Sequence, residues 1–206
     1  YRMRITKTLF ISAVLLMSAT GLQAAGFIQK GNYLTVQLKE HQNYGPSQIR
    51  LQVVNDQIIR VQATAEQSFR NKQSLIIVPQ NSKANYKVEE QGDKLIITTA
   101  AMRAVLNEAT GQITFYDLKD NVLLNEVAQG GKTFKPFTVP DREIGVDIAK
   151  VPEAQKHGWS WRALFDSPDN EAFYGLGQHQ SEELNMKGKN EDLFQYNTKV
   201  SVPFVI

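Results

Sequence analysis

An antiparallel β-sandwich is the fold class this sequence predicts, and three observations predict it. Apolar residues recur with a period of two along most of the chain after residue 25. The alternating runs are short and are separated by polar turn residues at regular spacing. No stretch beyond residue 25 holds a helical period for more than two or three turns, so the crossover helices of a parallel sheet have no sequence to build them. The expected class is all-β.

Taken in chain order, the first 25 residues differ from the rest. Tyr1 and Arg2 precede Met3 and stand outside the fold argument. Arg4 and Lys7 form a positive segment, Leu9 to Met17 an apolar one, and Leu22-Gln23-Ala24, or the register ending at Ala25, offers small residues for cleavage. Residues 1–25 therefore read as a secretory signal peptide. The competing reading is a membrane anchor, but the apolar run falls short of the roughly 20 residues a spanning helix needs. A periplasmic or secreted product is the expectation. The absence of cysteine excludes a lipidated cysteine at the cleavage site, any disulfide and any thiolate zinc site.

The strands follow. Leu34, Val36 and Leu38 alternate with polar neighbours, as do Ile49, Leu51 and Val53. Asn55-Asp56 supplies tight-turn residues before the alternation of Ile59, Val61 and Ala63, so this pair is expected to form a hairpin. Further strands are expected at Leu75–Val78, Tyr86–Glu89, Lys94–Thr99, Arg103–Asn107, Gln112–Asp117 and Val122–Asn125. Their separators, Gln91-Gly92-Asp93, Ala109-Thr110-Gly111 and Lys119-Asp120-Asn121, carry turn chemistry. Gly130 to Gln155, with its Pro, Gly and Lys, reads as a long connection crossing the sandwich. No internal repeat is present.

Composition bounds the function. The chain has 206 residues, 42% of them apolar and 21% charged, an ordinary globular balance for one domain with a core. A net charge of +2 without a basic stripe argues against nucleic acid as a partner. The three histidines, His41, His157 and His179, lie in unrelated loop contexts with no metal-ligand spacing. No cofactor is expected. Glu182-Glu183 and Glu191-Asp192 are adjacent acids of the kind that loops leave solvated. Gly175 and Gly177 lack the third glycine and the following helix that a phosphate cradle requires. Their expected task is structural, letting the chain leave a buried strand by a conformation or a close approach that a Cβ would hinder. His179 is expected to satisfy backbone groups of its loop. Trp159, Trp161 and Phe165 alternate with Ser160, Arg162 and Asp166, so one strand face carries large rings, which pack as core or offer a sugar-stacking platform; core is the expectation.

Asp166 to Ile206 carries a more specific pattern. Phe173-Tyr174-Gly175-Leu176-Gly177 is followed by Met186-Lys187-Gly188, then by Tyr196-Asn197-Thr198, then by Val202-Pro203-Phe204 in an apolar strand. That order resembles the closing part of the N-terminal β-sandwich of glycoside hydrolase family 31, the α-glucosidases and α-xylosidases. Ile58 to Thr64 and Thr110 to Glu126 also resemble this domain, so the likeness covers nearly all of the chain past residue 25. Gln178-His179-Gln180 and Val200 to Phe204 are more similar to the α-xylosidase branch.

The resemblance implies a galactose-mutarotase-like sandwich over residues 26–206, placed ahead of a (β/α)₈ barrel that would need roughly 250 further residues. In the family that barrel carries two aspartates, nucleophile and acid/base, in a retaining reaction whose carboxyl groups stand about 5–5.5 Å apart. No catalytic residue is therefore expected in this chain, and the chain alone is expected to be inactive. The family's sandwich lends a loop to the subsite of the leaving-group sugar, and the matching positions are Asn197 and Thr198, with Tyr196 beside them. Many members carry Asp where this chain has Asn197, so the implied role is hydrogen bonding and not charge. The implied partners are an oligosaccharide substrate and the barrel of the same polypeptide. Competing readings are a stand-alone carbohydrate-binding module, a mutarotase using His179 with Glu182 or Glu183, and a purely structural surface domain.

Overall fold

The computed structural model describes residues 26–39, 43–70, 75, 77–78, 84–138, 147–179 and 183–206. The signal-peptide reading of residues 1–25, His41, Gln180 and Glu182 lie outside them. The described chain forms two antiparallel sheets and two antiparallel ribbons. The first sheet runs in sequence order through β1 (Phe27–Lys30), β2 (Tyr33–Gln37), β3 (Gln48–Asn55) and β4 (Ile58–Thr64). The second runs through β5 (Lys87–Gln91), β6 (Lys94–Thr98), β7 (Arg103–Asn107), β8 (Ile113–Tyr116) and β9 (Val122–Asn125).

Register explains why the period-two pattern works. Leu34 sits opposite Leu51 and Val36 opposite Ile49, so the apolar set of β2 and β3 shares one face. In the second sheet Leu95 faces Leu106, Ile97 faces Ala104 and Leu106 faces Ile113. All of these side chains form a single buried cluster, which places the two sheets face to face around one core. Fully burying each Leu, Ile or Val contributes about 1.5–3 kcal/mol before entropy is charged.

The turns are made by the expected residues. Asn55 Oδ1 accepts from Gln57 N at 2.9 Å and closes the β3–β4 hairpin. Gly92 and Gly111 take positive φ at the β5–β6 and β7–β8 turns. Asn107 Oδ1 accepts from both Ala109 N and Thr110 N, and Asp117 Oδ1 from both Lys119 N and Asn121 N.

Three expectations are corrected. The run Leu75–Val78 is not among the described strands: Leu75, Ile77 and Val78 are irregular and exposed, and Ile76 lies outside the described residues. A continuous apolar run builds a strand only where both its faces are covered, and here they are not. The second correction concerns Gly130–Gln155. It contains β10 (Lys132–Thr138), whose residues pair one for one with β11 (His157–Ala163) across a long link, of which residues 139–146 lie outside the described residues. A buried Lys132 and a Pro136 inside the strand disguise its alternation. Proline is tolerated because this is a two-stranded ribbon with open edges. The link also holds a 3₁₀ turn (Ile148–Lys150) and a four-residue helix, α1 (Glu153–Lys156).

The third correction is the aromatic face of β11. Trp159 and Trp161 are 44% and 59% exposed and Phe165 46%, so they stand on the surface of this chain and not in its core. Of the ribbon's large apolar residues only Phe134, opposite Trp161, is buried.

Candidate functional site

The second ribbon pairs β12 (Gly175–Gln178) with β13 (Val200–Val205) and frames the loop between them. Gly175, Leu176 and Gly177 all have positive φ, at 119°, 63° and 106°, and the register shifts between the two glycines. A Cβ on Gly175 would lie 2.6 Å from Phe204 O, and one on Gly177 would overlap Val200 O and lie 2.9 Å from Val202 N. Both constraints expected of these glycines are present, close approach and a conformation closed to L side chains. They act inside an edge strand at a bulge, however, and not at the exit of a buried strand.

Downstream, side chains replace regular structure. Asn185 Oδ1 accepts from Phe173 N and Lys187 N, both at 3.0 Å, and Met186 N donates to Phe173 O at 2.8 Å. Lys187 Nζ donates to Pro168 O, and Gly188 turns with φ 72°. Tyr174, Gly175, Gly177, His179, Leu184 and Met186 are among the walls of a cavity of about 310 Å³.

His179 has a side chain only 8% exposed. Its Nε2 donates to Leu176 O at 2.8 Å, which bears out the expectation of a histidine serving its own loop and identifies Nε2 as the protonated nitrogen. Its Nδ1 lies 3.2 Å from Glu191 Oε2, off the line of a hydrogen bond, and is otherwise unpartnered. The same carboxylate oxygen accepts from Lys199 Nζ at 3.1 Å, and Lys199 Nζ also donates to Asp192 O at 2.6 Å. Glu191 is thus not the solvated acid its sequence context predicts: its side chain is 17% exposed and paired with Lys199, with the His179 ring packed beside it.

Tyr196 to Lys199 closes as a β-turn, with Lys199 N donating to Tyr196 O at 3.0 Å and an isolated bridge between the two residues. Asn197 and Thr198 are its two central residues and are exposed, as is Tyr196, whose ring lies 6.2 Å from that of Phe194. The structure therefore brings the three expected site residues together at one tip. Sequence reasoning missed the residues beneath that tip: Glu191 and Lys199, and the pair in which Ser201 N donates to Gln195 Oε1 and Ser201 Oγ to Phe194 O. Their spacing follows no secondary-structure period, so no pattern could single them out.

Of the residues in the mutarotase reading, Glu182 lies outside the described residues, His179 Nε2 is engaged by Leu176 O, and Glu183 is paired with Lys189 Nζ at 2.8 Å. Among the described residues no group of three or more His, Asp or Glu is placed to hold a metal ion.

Two packed antiparallel sheets, a glycine-bulged edge ribbon and an exposed turn between its strands define an all-β sandwich. Residues 48–206 match the family model described as the glycosyl hydrolase 31 N-terminal galactose mutarotase-like domain, and the chain belongs to that family. An uncharacterized family 31 glucosidase from Pseudescherichia vulneris is 25% identical over 166 residues, covering 76% of this chain and 30% of that protein. The crystal structure of the GH31 alpha-xylosidase from Xanthomonas citri superposes with TM-score 0.72 and 34% identity, over 86% of this chain and 17% of that one. A GH31 alpha-xylosidase from a soil metagenome, solved with xylose, superposes with TM-score 0.62 and 26% identity, over 87% of this chain and 26% of that one. The chain spans less than a third of the length of each of these relatives.

Proposed function

We propose that this chain is the N-terminal domain of an exported retaining α-glycosidase that cleaves α-xylosidic or α-glucosidic bonds in oligosaccharides. The exposed turn of Tyr196, Asn197 and Thr198 touches the leaving-group sugar. The observation that carries the reading is that turn, held out from a bulged ribbon by hydrogen bonds on both flanks and bearing two short side chains that donate and accept. The likeness to two α-xylosidases and a glucosidase supports the bond class. Catalytic aspartates, in this reading, lie on a barrel carried by the rest of the polypeptide, and residues 1–25 direct the protein to the periplasm or outside the cell. The sandwich alone is inactive.

The expected result for Asn197→Ala in the full-length protein is a roughly tenfold loss of kcat/KM on a xylogluco-oligosaccharide, with 4-nitrophenyl α-xyloside hydrolysed almost as before. An amide that binds the leaving sugar has nothing to hold when the leaving group is an activated phenol. Equal losses on both substrates would reject the assignment.

A second reading is favoured by the exposure of Trp159 and Trp161. Residues two apart on a strand stand on the same face roughly 7 Å from one another, a spacing on which sugar rings can stack. In this reading the domain is a carbohydrate-binding module that works without a hydrolase. Titration with xylogluco-oligosaccharides decides: saturable binding by the chain that Trp161→Ala abolishes favours the module, and no binding removes it.

A further inference from the structure

A substrate contact made by an exposed turn is only as good as the frame that aims it. Backbone groups close the 196–199 turn, but side chains orient it. On one flank the Lys199 ammonium reaches back to Glu191 Oε2 at 3.1 Å and Asp192 O at 2.6 Å. On the other, Ser201 donates through N to Gln195 Oε1 at 3.0 Å and through Oγ to Phe194 O at 3.1 Å. Residues 191–195 are thereby strapped to residues 199–201, and the two central residues of the turn protrude between the straps.

The two straps differ in kind. The serine strap uses neutral groups that are exposed, where water competes for each partner. The lysine strap is an ion pair with side chains 14% and 17% exposed, so solvent and salt screen it little. Behind its carboxylate lies the nearly buried His179 ring, packed 3.2 Å from the same oxygen, and that ring is held by Leu176 O in the middle of the positive-φ run that sets the β12–β13 register. A continuous chain of contacts therefore runs from the glycine bulge through His179, Glu191 and Lys199 to the turn.

The geometry points to Lys199 as a positioning residue for Asn197 and Thr198, anchored by Glu191, an inference that rests on the leaving-group role proposed for that turn. Lys199 lies directly beside the turn yet turns its ammonium away from the tip and into the frame. It fixes where the Asn197 amide stands without itself meeting the sugar. A misplacement of about 1 Å in a positioned group can cost up to roughly a hundredfold in rate. Losing one of two straps is expected to cost about tenfold, confined to substrates whose leaving group reaches the turn.

The test uses the full-length protein and compares kcat/KM on a xylogluco-oligosaccharide with that on 4-nitrophenyl α-xyloside for Lys199→Ala, Lys199→Arg, Glu191→Gln and Asn197→Ala. The expected pattern is a selective oligosaccharide loss for Lys199→Ala and Glu191→Gln, matching Asn197→Ala. Lys199→Arg should stay within about threefold of the parent, because a guanidinium can donate to both Glu191 and Asp192 O. The aryl glycoside reports in every variant that the enzyme is folded. Selective loss in Asn197→Ala with none in Lys199→Ala would overturn the positioning role and leave the subsite reading standing. Equal loss on both substrates in Lys199→Ala would make it a stability residue and overturn the role as well. Equal loss in Asn197→Ala would remove the subsite reading itself, and the positioning role with it.

Discussion

Gly177→Ala is expected to destabilise the domain by at least about 3 kcal/mol, by two mechanisms that add at one residue. The new methyl group would overlap the Val200 carbonyl oxygen and press on Val202 N at 2.9 Å. Those are backbone atoms of the paired strand, which cannot swing aside as a flexible side chain can. The residue would also have to hold φ near 106°, outside the region an L residue adopts at low cost. Relief requires β12 to separate from β13, which gives up the ladder at Gly175, Gly177 and Gln178 and unseats the His179–Glu191–Lys199 contacts. Gly188→Ala is the control. Its φ is also positive, at 72°, but an added Cβ meets nothing within 4 Å, so it should cost only about 1 kcal/mol. Urea unfolding of the two variants beside the parent checks both numbers, and a cost for Gly177→Ala no larger than the control's would refute the steric account.

That contrast also marks what was legible in the sequence. Two glycines around Leu176 announce a constrained backbone, and the constraint is there. Their place inside an edge strand was not legible, because the strand exists only through pairing with Val200 to Val205, more than twenty residues on. The eight strands from β2 to β9 were read within a residue or two because runs such as Leu34–Val36, Ile49–Val53 and Leu95–Ile97 alternate, polar turn residues bound the others, and each strand pairs with the next in sequence, save β4 with β5. β1 and β10 were missed. Phe27-Ile28-Gln29-Lys30 is too short for a period, and β10 buries a lysine where the pattern asks for an apolar residue. The same blind spot covers the candidate site. Asn197 and Thr198 stood out through a family resemblance, whereas Glu191 and Lys199 look like ordinary surface charges until the fold brings them together. Polar pairing that follows no secondary-structure period has no one-dimensional signature, even between residues as near in sequence as Glu191 and Lys199.

The buried lysine of β10 gives the second large effect. Lys132 and Glu126 are 7% and 4% exposed, and the ammonium pairs with Glu126 Oε2 while also donating to Gly111 O at 3.2 Å. Glu126 Oε2 accepts from Ile113 N at 2.9 Å as well, and Glu126 bridges to Phe165, so the pair joins the β10–β11 ribbon to the β7–β8 end of the five-stranded sheet. Burial holds the Lys132 ammonium below the usual lysine range, and the attraction of Glu126 and its hydrogen bond oppose that shift. Glu126→Gln keeps the volume and an acceptor for Ile113 N but leaves the ammonium without a counter-charge. At neutral pH the variant should lose about 3–5 kcal/mol, the usual cost of breaking a buried pair from one side. The pH dependence follows from the proton count. Between the depressed folded value and 10.5 the unfolded chain binds the proton more tightly, so stability rises with pH across that window. Replacing Glu126 by Gln takes away the charge attraction and starts the window at lower pH. The deficit of Glu126→Gln should therefore be greatest at neutral pH and shrink as Lys132 loses its proton. Urea midpoints of parent and variant at neutral pH and at about pH 9.5 measure this; a deficit that does not change with pH would mean that the charge on Lys132 is not what the glutamate is there to hold.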